Sequence, residues 1–378
     1  QFFAFFCVAI FAVMGICFAA NMFTLFIFYE ILTLSTYPLV AHKGDTKSVS
    51  GARVYLGILL GTSIVFLLTA LIWTYVLVGH LDFMPGGILN GKIEYGLLPL
   101  LLGLYAFGIG KAALMPLHRW LPAAMVAPTP VSALLHAVAV VKAGVFTILK
   151  VGVYIFGLDF LAESGASQWL IWLAAISIIM ASIFALMQDN LKKRLAYSTV
   201  SQLSYITLAM ALATPMAAVG GGMHIAMHAF GKIALFMCAG AIYVATKKTE
   251  ISDMSGLGKS MPITFTIFAI ASFSIIGLPP FGGSWSKFLL FVGAIEAEYF
   301  VIIVVLMISS LLNVAYLLPI VARGFFINSA EGKKENSIKE APLLCWVPAA
   351  IAAVACILLF FYAGLLRDFL LPIVDSSL

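Results

Sequence analysis

Four lysines and one glutamate stand inside long apolar runs of this chain: Lys111, Lys142, Lys232, Lys287 and Glu30. A charge at the centre of a membrane-spanning helix costs about 2.5–3.5 kcal/mol even on a lenient insertion scale. Five such groups on five different runs would cost roughly 12–17 kcal/mol if each stayed unpaired. A single lysine near a helix end can instead snorkel to the interface, and for Lys142 and Lys287 that alternative stays open. As a set, the five describe a row of ionisable groups along the middle of a membrane, linked by water. Moving Glu30 relative to Lys111 would change how firmly the lysine holds its proton.

A second constellation lies in GGMHIAMHAFGK. His224, His228 and Lys232 follow an i, i+4, i+8 spacing, which puts all three on one helical face. HxxxH is also a zinc-ligand spacing, but Ile225 stands where the HExxH signature has its glutamate, and no further ligand lies nearby. No metal is therefore expected. Neutral imidazoles titrate near pH 6.5, so two on one face make a proton relay. His136 is a further candidate for the same path; it precedes Lys142 by six residues, so the two point to different faces. Gly86-Gly87-Ile88-Leu89-Asn90-Gly91-Lys92 imitates a P-loop, yet Ile93 replaces the hydroxyl residue that would hold magnesium. With no Cys/His set for haem, flavin or iron–sulfur chemistry, no cofactor and no redox step are expected in this chain.

The elements that must position these groups follow from composition. The chain has 378 residues, of which 63% are hydrophobic and only 10% charged, with a mean hydropathy of +1.11. Soluble domains carry about 25% charged residues, so this is an all-α polytopic membrane protein. A soluble enzyme, a nucleic-acid binder and a disordered hub are excluded. All five cysteines lie in apolar runs and read as buried packing thiols. Eleven spans are expected, at about 1–19, 22–41, 54–79, 96–114, 131–149, 168–188, 195–213, 216–245, 261–278 continuing brokenly to 295, 299–320 and 342–364. Breaks are expected at Met115-Pro116 and at Gly277-Leu278-Pro279-Pro280, because proline removes a backbone donor and clashes with the preceding turn.

Basic residues set the orientation. Fourteen of the 21 Lys and Arg fall in alternate connections, 42–53, 115–130, 189–194, 246–260 and 322–341, which are assigned to the cytoplasmic side. Each of the stretches 1–149 and 168–320 then holds five spans, with a broken helix at the fourth position. An odd number of crossings inverts the second stretch relative to the first. The organisation read from this is a first inverted repeat at 1–149, a connecting segment at 150–167 and a second repeat at 168–320. A cytoplasmic-side loop at 321–341 and a final span with the C-terminus at 342–378 complete it.

FYEILTLSTYPLVAH, GKAALMPLHRWLPAAMVAPTPVSALLHAVAVVKAG, DNLKKRLAYSTVSQLSY, HIAMHAFGKIALF and GLPPFGGSWSKFLLFVGAIEA closely resemble the proton-conducting antiporter-like subunits. That family includes subunits of Mrp-type Na+/H+ antiporters, of respiratory complex I and of membrane-bound hydrogenases. The resemblance runs in order through residues 1 to about 325, and GGSWSKFLLFVGAIEA and LLNVAYLLPIV look most like the Mrp D-type branch. It implies a fourteen-helix fold, of which the first three helices are not represented here. By motif, it implies that Glu30 pairs with Lys111, that His136 and Lys142 form a central pair and that His224, His228 and Lys232 form a second relay. Lys287 is the implied terminal group, a place where some members carry glutamate. The implied function is proton translocation within a multi-subunit monovalent cation/proton antiporter in a bacterial or archaeal cell membrane. Its implied partners are other membrane subunits, protons, Na+ through those subunits, and lipid. A proton-pumping module of a redox-driven complex is the alternative.

Overall fold

The computed structural model describes residues 1–327 and 338–374. Among these, the long helices are α1 (Phe2–Phe18), α2 (Met22–Val40), α3 (Thr46–Val78), α4 (Leu98–Gly108), α5 (Thr129–Phe156), α6 (Gln168–Leu186) and α7 (Leu191–Leu212). They are followed by α8 (Pro215–Thr246), α9 (Pro262–Ile276), α10 (Gly283–Glu296), α11 (Phe300–Phe326), α12 (Leu343–Phe361) and α13 (Ala363–Val374). No extended strand occurs among the described residues. Seven helices, α2, α3, α5, α6, α8, α11 and α12, are long and apolar enough to cross a membrane on length and composition alone. The remaining expected spans correspond to α1, to α4 with the turns after it, to α7, whose first turn carries Lys192, Lys193 and Arg194, and to the broken pair α9 and α10. The protein is a polytopic helical membrane protein.

Polar caps explain where the helices start. Asn21, Asp45 and Thr214 accept hydrogen bonds from the amides of Thr24, Ser48 and Ala217, which have no partner inside their own helices. Hydropathy places the start of the third span at 54, whereas the Asp45 cap starts α3 at Thr46, one polar stretch earlier. Similarly, α5 continues through Phe156 into the expected connecting segment, and α11 runs to Phe326. Residues 328–337 of the basic loop lie outside the described residues. A further helix, α13, follows the last expected span and lays Leu366 and Leu370 against the α8 and α10 cluster of Val219, Met223, Met227 and Leu289. The cysteines divide: Cys238 and Cys356 are buried, while Cys7 and Cys17 sit on the exposed face of α1.

Both breaks exist, but only the second begins where the proline rule puts it. The chain leaves α9 at Gly277, whose positive φ of 90° suits glycine, and resumes as α10 at Gly283. The first break comes earlier than Pro116. Helix α4 ends at Gly108, and Lys111 sits in a tight 3₁₀ turn, Gly110–Ala112. Close approach of backbones is the reason. A β-carbon on Gly108 would strike the backbone of Leu67 in α3, and one on Gly144 of α5 would strike Lys111 and Ala112. Glycine, rather than proline, fixes where this helix opens.

Gly144→Leu is therefore expected to force the Lys111 turn away from α5. Overpacking of this kind costs about 1–3 kcal/mol. A lowered thermal unfolding temperature of the purified complex is the expected result; unchanged unfolding and unchanged assembly would contradict the close packing.

Candidate functional site

Each broken helix frees backbone groups that water cannot reach in hydrocarbon, and the protein itself satisfies them. At the first break, the Lys111 amide donates to the Tyr29 hydroxyl (3.1 Å) and the Gly110 carbonyl accepts from the Trp120 indole (3.0 Å). At the second, the Gly282 amide donates to the Cys356 carbonyl of α12 (2.8 Å). The Ile276 carbonyl, at the end of α9, accepts from the Lys287 ammonium (2.8 Å). A cation at the C-terminal end of a helix is favoured by the partial negative charge collected there. Lys287 is thus a buried group anchored at a break, 5% exposed, and does not snorkel to the surface.

Lys111 is fully buried. Its ammonium donates to the Tyr29 carbonyl (2.8 Å) and the Thr33 hydroxyl (2.6 Å) of α2, and lies 3.0 Å from the centroid of the Tyr29 ring. Glu30 is the next residue along α2. Both its carboxylate oxygens are buried and neither has a hydrogen-bond partner in the protein. The structure therefore brings Glu30 and Lys111 into one pocket without joining them: the lysine rests on Tyr29 and Thr33.

At the centre, Lys142 of α5 meets His228 of α8, with Nζ 2.5 Å from Nδ1. His228 and His224 stack with ring centroids 5.8 Å apart, and His224 Nδ1 is 2.9 Å from the Ser286 hydroxyl of α10, one residue before Lys287. The shared face expected for His224, His228 and Lys232 is present, yet each member turns to a different partner. Lys232 donates to the Ser198 hydroxyl (2.7 Å) and the Leu195 carbonyl (3.2 Å) of α7. His136 lies in a π turn of α5, Leu134–Val138, beside Phe236, and both its ring nitrogens are buried without a protein partner. Such turns bulge a side chain out of the regular helical pattern.

Lysines, imidazoles and hydroxyls within hydrogen-bonding range can accept and release protons. Along Lys142, His228, His224, Ser286 and Lys287, such contacts join Lys142 to His228 and His224 to Ser286, while the two imidazoles stack and Ser286 precedes Lys287 in the chain. Sequence reasoning found the charged members and missed their partners, Tyr29, Thr33, Ser198, Ser286 and Ser310, the last of which accepts from Lys287 at 3.4 Å. The available signal was a run of hydroxyl residues inside an apolar helix, most visibly in STVSQLSY of α7. A cleft of about 870 Å³ opens elsewhere, on the basic side, with Lys43, Lys192, Lys193 and Lys248 among its lining residues. Of the charged row it contacts only the turn around His136, through Leu134 and Val138.

A helical membrane protein with a buried lysine beside each of two broken helices has the make-up of an antiporter-like membrane subunit. The model of the family "NADH:quinone oxidoreductase/Mrp antiporter, TM" matches residues 19–313, and the chain belongs to that family. It is 34% identical over 334 residues to NADH-quinone oxidoreductase subunit N of Desulforudis audaxviator, covering 86% of this chain and 65% of that protein. It is 31% identical over 396 residues to an Na(+)/H(+) antiporter subunit of Bacillus subtilis, covering 94% of this chain and 47% of that one. The chain thus spans about half to two thirds of the length of these two relatives. The fold matches a chain in the structure of the Mrp complex from Dietzia sp. DQ12-45-1b with a TM-score of 0.85 at 22% identity, covering 99% of this chain and 77% of that one.

Proposed function

We propose that this chain is a proton-translocating subunit of a multi-subunit monovalent cation/proton antiporter, in which proton movement along its buried row is coupled to Na+ movement through partner subunits. The contact of Lys142 with His228 carries the reading. It sets a lysine of α5 against the histidine pair of α8, and in this reading it is where the groups around Lys111 hand on to those around Lys287. An inert scaffold has no use for such a row, because each buried charge costs stability. The Mrp-type assignment draws support from the resemblance in GGSWSKFLLFVGAIEA and from the 31% identity to an Na(+)/H(+) antiporter subunit. A second reading, a proton-pumping module of a redox-driven complex, draws on the 34% identity to a quinone oxidoreductase subunit.

Inverted membrane vesicles containing the assembled complex distinguish the two. In an antiporter, adding Na+ or K+ to vesicles with a preformed acid interior collapses the pH gradient with no electron donor present. In a redox-driven pump, the gradient forms only while a donor is oxidised. The antiporter assignment predicts the first result and fails on the second.

Lys287 gives a sharper check on the row itself. Lys287→Ala is expected to stop transport in a fully assembled complex, because no proton-exchanging group is then left at the end of α9. Lys287→Glu is expected to retain part of the rate, since a carboxyl group at the break can also take up and release a proton. Equal rates for Lys287→Ala and wild type would mean that the lysine only packs.

A further inference from the structure

Helices α7 and α11 run antiparallel, and each carries a polar stripe whose ends meet across the space between them. On α7 the stripe is Ser198, Gln202 and Tyr205; on α11 it is Tyr316, Asn313 and Ser309. Both follow helical spacing, so each stripe occupies one face. All six residues are fully buried. The register is fixed at one end by the Ser198 hydroxyl, 2.8 Å from that of Tyr316, and at the other by Tyr205, which faces Ser309 and Ser310. Gln202 and Asn313 lie between.

The two ends of this seam are the two lysines of the second half. Lys232 donates to Ser198, whose hydroxyl meets that of Tyr316, and the Asn313 side-chain oxygen accepts from Tyr316 and orients it. At the far end, Lys287 donates to Ser310 and lies 5.2 Å from the centroid of the Tyr205 ring. Between those ends, both amide atoms of Gln202 and the Asn313 amide nitrogen are buried with no hydrogen-bond partner in the protein, and the Tyr205 hydroxyl has only the Ser309 and Ser310 hydroxyls near it. One unpartnered buried polar group costs about 1–3 kcal/mol, so three such atoms in one seam are untenable in dry packing. Buried water settles where two to four polar partners converge, and this stretch supplies them.

We infer that the α7–α11 seam holds a file of water and hydroxyl groups that connects Lys232 to Lys287, as a second proton branch beside the two histidines. Lys142 and His228 stand at the fork. One branch runs through His224 and Ser286; the other steps one helical turn to Lys232 and follows the seam. In each hop along the seam, an N–H or O–H bond breaks on the donor as a new O–H bond forms on the acceptor, which releases its own proton onward. Rotation of the hydroxyls then resets the file. Asn313 does not carry the proton; it holds the Tyr316 hydroxyl in line.

This inference rests on the proton-translocating reading, and the experiment separates the two. Proton transport is measured in vesicles with equal amounts of assembled complex carrying His224→Ala, Tyr316→Phe, Gln202→Leu and the doubles with His224→Ala. Parallel branches predict that each single variant slows transport by about two- to fivefold, while either double variant loses it by about twentyfold or more. Gln202→Ser, which keeps a polar lining and leaves room for water, should retain the rate. Wild-type transport for Tyr316→Phe and Gln202→Leu, alone and in the His224→Ala background, overturns the branch. Complete loss from Tyr316→Phe alone also overturns it, because the seam would then lie in series with the histidines. The wild-type complex against vesicles lacking it serves as the control: if it moves no protons, the proton-translocating reading fails, whatever the seam variants do, whereas normal transport by Lys287→Ala takes Lys287 out of the path and overturns the seam as a link to it.

Discussion

Replacing Lys111 with alanine should reduce proton transport by about 100-fold or more, close to 3 kcal/mol in the transport barrier, while the complex still assembles. Glu30→Gln should do the same although it preserves shape. This result is expected if the two residues act as a switch. In the structure the ammonium rests on the Tyr29 carbonyl and the Thr33 hydroxyl, and the Glu30 carboxylate is buried without a partner. Glu30 and Thr33 are three residues apart on α2, so they are neighbours on its surface. A rotamer change in Lys111 therefore exchanges a neutral site for an anionic one. Thr33→Val removes the neutral site's hydroxyl and should hold the lysine on Glu30, slowing transport without affecting assembly. The measurement is the initial rate of proton movement in vesicles, normalised to assembled complex. Normal rates in Glu30→Gln would remove the carboxylate from the mechanism.

The charged residues were legible in the sequence because charge in an apolar run is costly and therefore conspicuous. The order of the spans was legible for the same reason. Geometry around those charges was not. That Lys142 faces His228 depends on how α5 packs against α8, and an 86-residue separation carries no periodic signal for such a contact. Proline rules found the α9–α10 break but put the first one too late, since glycine contacts between α3, α4 and α5 set that boundary through packing. Pairing of Glu30 with Lys111 was expected as a direct contact, whereas Tyr29 and Thr33 take the lysine. Hydroxyls cost little to bury when they bond back to their own helix, as Thr33 does to the Tyr29 carbonyl (3.1 Å), so they leave no mark in a hydropathy profile.

Lys142 is where the largest and most diagnostic loss is expected. In the proposed path the two halves meet at its ammonium, so Lys142→Ala should bring transport to the level of vesicles lacking the complex. His228→Ala should approach the same floor. Because both groups belong to one junction, the double variant should be no worse than either single one; independent contributions would instead add. Lys142→Arg decides what the lysine does there. Arginine keeps the positive charge and has comparable reach, but it does not release its proton under ordinary conditions. If Lys142 serves only to set the local field, the arginine variant transports. If Lys142 takes a proton from one half and hands it to the other, a group that never lets go blocks the row as completely as alanine does. The short contact to an imidazole nitrogen favours the second outcome: a neutral His228 can accept at Nδ1 what the ammonium gives up.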